Sequence, residues 1–141
     1  MLRLVIDTDV MVSAFESPSG ASRQLILDIL DGKASLLLSV SLMLEYEAVL
    51  TRDAMLARSG LSTAEVLEAL DDLAGRCIPV AFDYRWRPAA QDADDDLVVE
   101  TAINGGADVI ATFNVADMSD GAKRFGIAVE RPGTVLKRIR T

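Results

Sequence analysis

The chain has 141 residues, 50% of them hydrophobic and 26% charged, with a mean hydropathy of +0.27 and a formal charge of −8. That make-up describes one compact domain, residues 1–141, large enough to bury its own core. The sole cysteine, Cys77, excludes a disulfide framework and a cysteine zinc cage, and the absence of histidine excludes Ser-His-Asp triads, Cys-His pairs and imidazole acid/base ribonucleases.

Leu2 to Ile6 is a short apolar run without helical spacing, which predicts a buried parallel strand ending at Asp7-Thr8-Asp9. A Ser-Pro-Ser-Gly turn at Ser17 to Gly20 precedes Leu25, Ile26, Ile29 and Leu30 at helical spacing, with Gly32 as the stop. Ala34 to Leu38 predicts a second strand, leading into a helix around Leu42 to Leu50 that carries Glu45. Ser62-Thr63-Ala64-Glu65 has the form of a capping box opening a helix through about Leu73. Cys77 to Phe82 predicts a strand, and Tyr84-Arg85-Trp86-Arg87-Pro88 a loop, either an aromatic and basic nucleic-acid surface or a cover over the core edge. Asp92 to Asp96 opens a helix through Ile103, stopped by Gly105-Gly106. Strands are expected at Val109 to Thr112 and Gly126 to Val129, and a short helix at Thr134 to Ile139.

No stretch is long and apolar enough to span a bilayer, and the first residues enter a strand without a charged leader or an apolar signal core. The expectation is a cytoplasmic chain with no membrane partner. Charge is uneven: from Ala122 onward Lys123, Arg124, Arg131, Lys137, Arg138 and Arg140 face Glu130 alone, so this tail is +5 and the remainder −13. The tail is either a phosphate-facing edge or a solvated helix face that balances acids elsewhere.

Repeated strand-helix units with short connections build a parallel sheet covered by helices, and ligand sites in such sheets gather beyond the carboxyl ends of the strands. Asp7 is expected there, with Asp95 in the first turn of its helix and Asn114 and Asp117 just after the strand at Val109. Glu45 sits among Leu42, Leu44, Val49 and Leu50, which turns it partly inward. Two carboxylates about 4 Å apart at an effective dielectric near 20 repel by roughly 4 kcal/mol. Raised pKa values, arginine partners or divalent cations could neutralise them; with neither imidazole nor thiolate among the candidates, an all-oxygen set best suits Mg2+ or Mn2+. A metal so held lowers the pKa of a bound water and shields a phosphodiester under in-line attack.

Val5-Ile6-Asp7-Thr8-Asp9-Val10, Leu44-Glu45-Tyr46-Glu47-Ala48-Val49-Leu50-Thr51-Arg52, Asp92-Ala93-Asp94-Asp95-Asp96, Ala107 through Asp117, and Gly126-Ile127-Ala128-Val129 with Pro132 stand in the order seen in PIN domains. The chain resembles that family, and within it the VapC-like toxins, over nearly its whole length. The resemblance implies a three-layer α/β/α sandwich with a central, mostly parallel sheet. It implies that Asp7, Glu45 and Asp95 hold metal, and that Asp117 in Thr112-Phe113-Asn114-Val115-Ala116-Asp117 is the fourth acid, with Asn114 a neutral ligand or orienting group. Asp9 stands where the family usually has asparagine, and Met118 where phenylalanine is common. The resemblance further implies a metal-dependent endoribonuclease acting on RNA, the toxin of a type II toxin-antitoxin pair, a homodimer inhibited by a cognate antitoxin.

Other roles compete at several positions. Asp7 could accept turn amides, and Asp9 could be a ligand or cap a helix starting near Val10. Asp92 and Asp96 could support the ligands or simply face water. Thr8, Ser13 and Thr112 carry hydroxyls for a metal water or phosphate, or for local backbone bonds. Two other functions remain open: a degenerate PIN fold kept as a binding or regulatory module, and a haloacid-dehalogenase-type phosphatase with Asp7 of Asp7-Thr8-Asp9 as nucleophile.

Overall fold

The computed structural model describes residues 1–82 and 93–141, with the backbone alone for 93–96. The expected loop at Tyr84 to Pro88 and Asp92 therefore lie outside the described residues, as do the side chains of Asp94, Asp95 and Asp96. Five strands, β1 (Arg3–Ile6), β2 (Ser35–Leu38), β3 (Ile78–Pro79), β4 (Val109–Ala111) and β5 (Ala128–Glu130), form one sheet in the order β3-β2-β1-β4-β5. Every pairing is parallel, with Leu4 opposite both Leu36 and Val109, and Ala111 opposite Glu130. Among the described residues eight helices flank it: α1 (Thr8–Glu16), α2 (Ala21–Leu30), α3 (Val40–Leu50), α4 (Asp53–Ser59), α5 (Thr63–Ala74), α6 (Ala93–Gly105), α7 (Val115–Lys123) and α8 (Pro132–Arg140). This is the expected α/β sandwich.

Burial explains why these runs are strands. Leu4, Val5, Ile6, Val109, Ile110 and Ala111 are all fully buried, as continuous apolar runs covered on both faces must be. In the sheet order, β2 and β3 lie successively to one side of β1, and β4 and β5 successively to the other. The direction reverses between β1 and β4, so the ends of these two strands flank the switch point, where open α/β sheets place their ligands.

Several boundaries differ from the sequence expectation for physical reasons. The strand expected over Cys77 to Phe82 is confined to Ile78–Pro79, because Pro79 lacks an N–H and fits only at the sheet edge, where β3 lies. The last strand begins at Ala128 rather than Gly126, whose φ of +70° makes it the turn leading into β5. Three short helices went unassigned in the sequence: α1, α4 and α7. The capping box at Ser62 and Glu65 is formed in both directions, each at 3.1 Å.

Candidate active site

Asp7 closes β1 and stands at the N-cap of α1, only 6% exposed. Its backbone N–H extends the ladder by donating to the Ala111 carbonyl at 2.9 Å, so its position is set by both central strands. Its side chain makes no cap bond to α1. Instead the fully buried Thr112 hydroxyl donates to Asp7 Oδ2 at 2.7 Å and accepts from the Asn114 N–H at 2.9 Å.

Both chain neighbours of Asp7 are tied to α3. The Thr8 hydroxyl donates to Glu45 Oε2, and the Tyr46 hydroxyl donates to the Ile6 carbonyl. The start of α3 is fixed in turn, with Ser39 as N-cap accepting from the Leu42 N–H at 3.2 Å and its hydroxyl 2.8 Å from that of Thr101 on α6. Glu45 and the end of β1 thus meet at the carboxyl edge of the sheet. Burial pushes the Tyr46 phenol well above its ordinary pKa, and the nearby Asp7 and Glu45 carboxylates push it further. Of the apolar residues expected to turn Glu45 inward, Leu42 and Leu50 are buried but Leu44 is 57% exposed.

The remaining sequence candidates fall in different places. Asp95 lies in the first turn of α6, three and four residues before the buried Val98 and Val99. Asp117 is exposed in the first turn of α7, and Asn114 is the exposed N-cap of that helix with no side-chain cap bond. Asp9 is the second residue of α1 rather than its cap. Its Oδ2 accepts from the Phe113 N–H at 3.1 Å, while its buried Oδ1 has no hydrogen-bond partner. Among the described residues no three acids stand close enough to hold one metal ion, so Asp117 does not form a trio with Asp7 and Glu45. The carboxylates of Asp7 and Glu45 are oxygen donors with no imidazole or thiolate beside them in the sequence candidates, a donor chemistry that suits a hard divalent cation.

Sequence reasoning missed Tyr46 as a positioning residue. The signal was present: Leu42, Tyr46 and Leu50 recur every four residues, and all three are buried. Thr8 holds a carboxylate, and Thr112 holds both a carboxylate and the local Asn114 amide, the kind of backbone group such hydroxyls usually serve. Burial raises the Cys77 thiol pKa, which disfavours its thiolate form.

The molecule is therefore a doubly wound parallel α/β fold with a carboxylate-bearing notch at its switch point. The family model for the PIN domain matches residues 3–116, and the chain belongs to that family, whose members are generally nucleases. Solved structures that match include VapBC2 from Rickettsia felis bound to a DNA fragment from their promoter. The match has 15% identity and a TM-score of 0.60, and covers 92% of this chain and 98% of that one. No curated protein matches the chain. Among the described residues no helix is long and apolar enough to cross a membrane.

Proposed function

We propose that the chain is a metal-dependent endoribonuclease and the toxin of a type II toxin-antitoxin pair. The observation that carries the reading is the tethering of both neighbours of Asp7 to the helix that bears Glu45, at the switch point of a PIN-domain sheet. Asp7, Glu45, Asp95 and Asp117 would hold Mg2+ or Mn2+, which suit all-oxygen ligands. Such an ion supplies a nucleophilic water at neutral pH and shields the phosphodiester under attack. Thr112 and Thr8 hold Asp7 and Glu45 in fixed orientations, as partners behind metal ligands do. With no histidine in the chain, no imidazole takes part.

A cognate antitoxin would neutralise the notch with a basic side chain, and an arginine could pair with a carboxylate through two hydrogen bonds. A homodimer accompanies this reading, and Val40 and Leu44, 76% and 57% exposed on the helix that carries Glu45, offer it an apolar face. The chain's membership in the PIN family leaves the haloacid-dehalogenase reading without support, and Asp9, the second acid of that motif, is bonded to the Phe113 amide. A PIN fold kept only for binding is the second reading, motivated by Asn114 and Asp9, which stand where the family pattern has other residues.

Incubation of purified protein with total RNA and structured transcripts, in magnesium, manganese or chelator, tests the proposal beside Asp95→Asn. Cleavage that needs the ion and vanishes in the variant is expected. Cleavage that persists in chelator or in Asp95→Asn contradicts it.

A further inference from the structure

Beside the acidic notch lies a second feature of opposite charge. A cleft of about 350 Å³ is lined by Ser13, Ser22, Phe113, Arg131, Thr134 and Lys137, with no acidic residue among its lining. It adjoins the notch through Phe113, which follows Thr112, donates its N–H to Asp9 and lies beneath the Arg131 guanidinium, 5.1 Å from the ring centroid. In a chain of charge −8 this is a local concentration of cations. Among the described residues no ion pair engages Arg131 or Lys137, whereas Arg138 and Arg140 of the same tail are paired with Glu130 and Asp28.

Two helix N-termini open on this cleft. The helices α2 and α8 run side by side in the same direction. A Cβ on Gly133 would sit 4.0 Å from the Ala21 Cβ at one end, and Arg140 grips Asp28 with two 3.0 Å bonds toward the other. Parallel neighbours set their positive dipole ends together, which costs energy unless an anion lies between them. Neither helix has a side-chain cap, and the first-turn amides of Ala21, Ser22 and Gly133 have no intrahelical acceptor. The independent sign of a ligand is the Ser22 hydroxyl: the residue is 2% exposed, lines the cleft, and its Oγ makes no hydrogen bond. A buried hydroxyl without a partner costs stability, so its retention here calls for an acceptor that arrives from outside.

We infer that this cleft is an anion subsite that takes a backbone phosphate of the RNA strand, next to the phosphate positioned at the acidic notch. The inference rests on the nuclease reading above for its substrate. Arg131 and Lys137 supply charge, the amides of Ser22 and Gly133 and the Ser22 hydroxyl supply donors, and Phe113 separates the cationic cleft from the carboxylates. A strand crossing the edge of the sheet would meet both.

The test titrates inorganic phosphate into the full chain in phosphate-free buffer, following the backbone amide resonances of Ser22, Gly133 and Thr134. It then measures binding of a short single-stranded oligoribonucleotide in chelator. Saturable shifts at these amides are expected, weakened in the Arg131→Gln/Lys137→Gln double variant. That variant should bind RNA roughly tenfold more weakly, with a shallower salt dependence by about two. Ser22→Ala should weaken phosphate binding without lowering the melting temperature, because the hydroxyl holds nothing in the protein itself. The absence of saturable shifts overturns the subsite, and so does phosphate binding with unchanged RNA affinity in the double variant. RNA that binds through the cleft but is never cleaved with any metal would sink the nuclease reading while leaving the subsite standing.

Discussion

The Thr112 hydroxyl donates to Asp7 Oδ2 at 2.7 Å across 105 residues of chain, joining the ends of the two central strands β4 and β1. Because the same oxygen accepts the Asn114 amide, one buried side chain orients the notch carboxylate and starts the turn into α7. Thr112→Val keeps the shape and removes both bonds. It should cost about 1–3 kcal/mol in denaturant unfolding, the penalty for buried groups left unpaired. RNA cleavage should fall by about 10- to 100-fold, the usual effect of losing a partner behind a metal ligand, with Thr112→Ser restoring most of it.

Tyr46 predicts an alkaline limb. Its folded pKa lies well above that of the unfolded chain, first through burial and then through Asp7 and Glu45. The folded state therefore retains a proton that the unfolded state releases above about pH 10, and stability is full below that pH and falls as pH rises beyond it. Urea unfolding across this range should show the decline. Tyr46→Phe, which cannot ionise, should remove that contribution while losing the hydrogen bond to Ile6, at a cost of about 1 kcal/mol.

Asp28 predicts the opposite limb. Hydrogen bonds from Arg140 hold its carboxyl below the usual range, outweighing the upward push of burial, and the charges of Arg140 and Lys33 add to the effect. Its contribution is present above the unfolded pKa near 3.8 and is lost as pH falls through the lower folded value. Arg140→Gln should move the acid-unfolding midpoint to higher pH. An unchanged midpoint would mean that the α2–α8 pairing does not depend on this bond.

Asp9 separates structural from chemical roles. Asp9→Asn keeps an oxygen for the Phe113 amide and removes a charge near the notch, so the fold should persist by circular dichroism and thermal melting. Asp9→Ala leaves the Phe113 N–H without its acceptor and should destabilise by about 1–2 kcal/mol.

The sheet was legible in the sequence because parallel strands buried on both faces leave uninterrupted apolar runs, as Leu4 to Ile6 and Val109 to Ala111 show. The helix α1 was not, since Asp7-Thr8-Asp9 reads equally as the end of a strand and the start of a helix, although Val10, Met11, Ala14 and Phe15 all turn inward. The helix α7 hides for another reason: of its nine residues only Met118, Gly121 and Ala122 are buried. Asp7 and Glu45 were named from motif order, and the threonine and tyrosine bonds that fix them depend on contacts between distant segments. The pairing of Arg140 in the basic tail was equally invisible, because it meets Asp28 112 residues away.

The most direct test of the shared-ion claim is calorimetric titration of Mn2+ into the wild-type protein and into Asp7→Asn, Glu45→Gln and Asp95→Asn, each checked for native melting. Saturable binding to the wild type is expected, lost or severely weakened in all three variants. Manganese binding that survives Asp7→Asn or Glu45→Gln unchanged would contradict the claim.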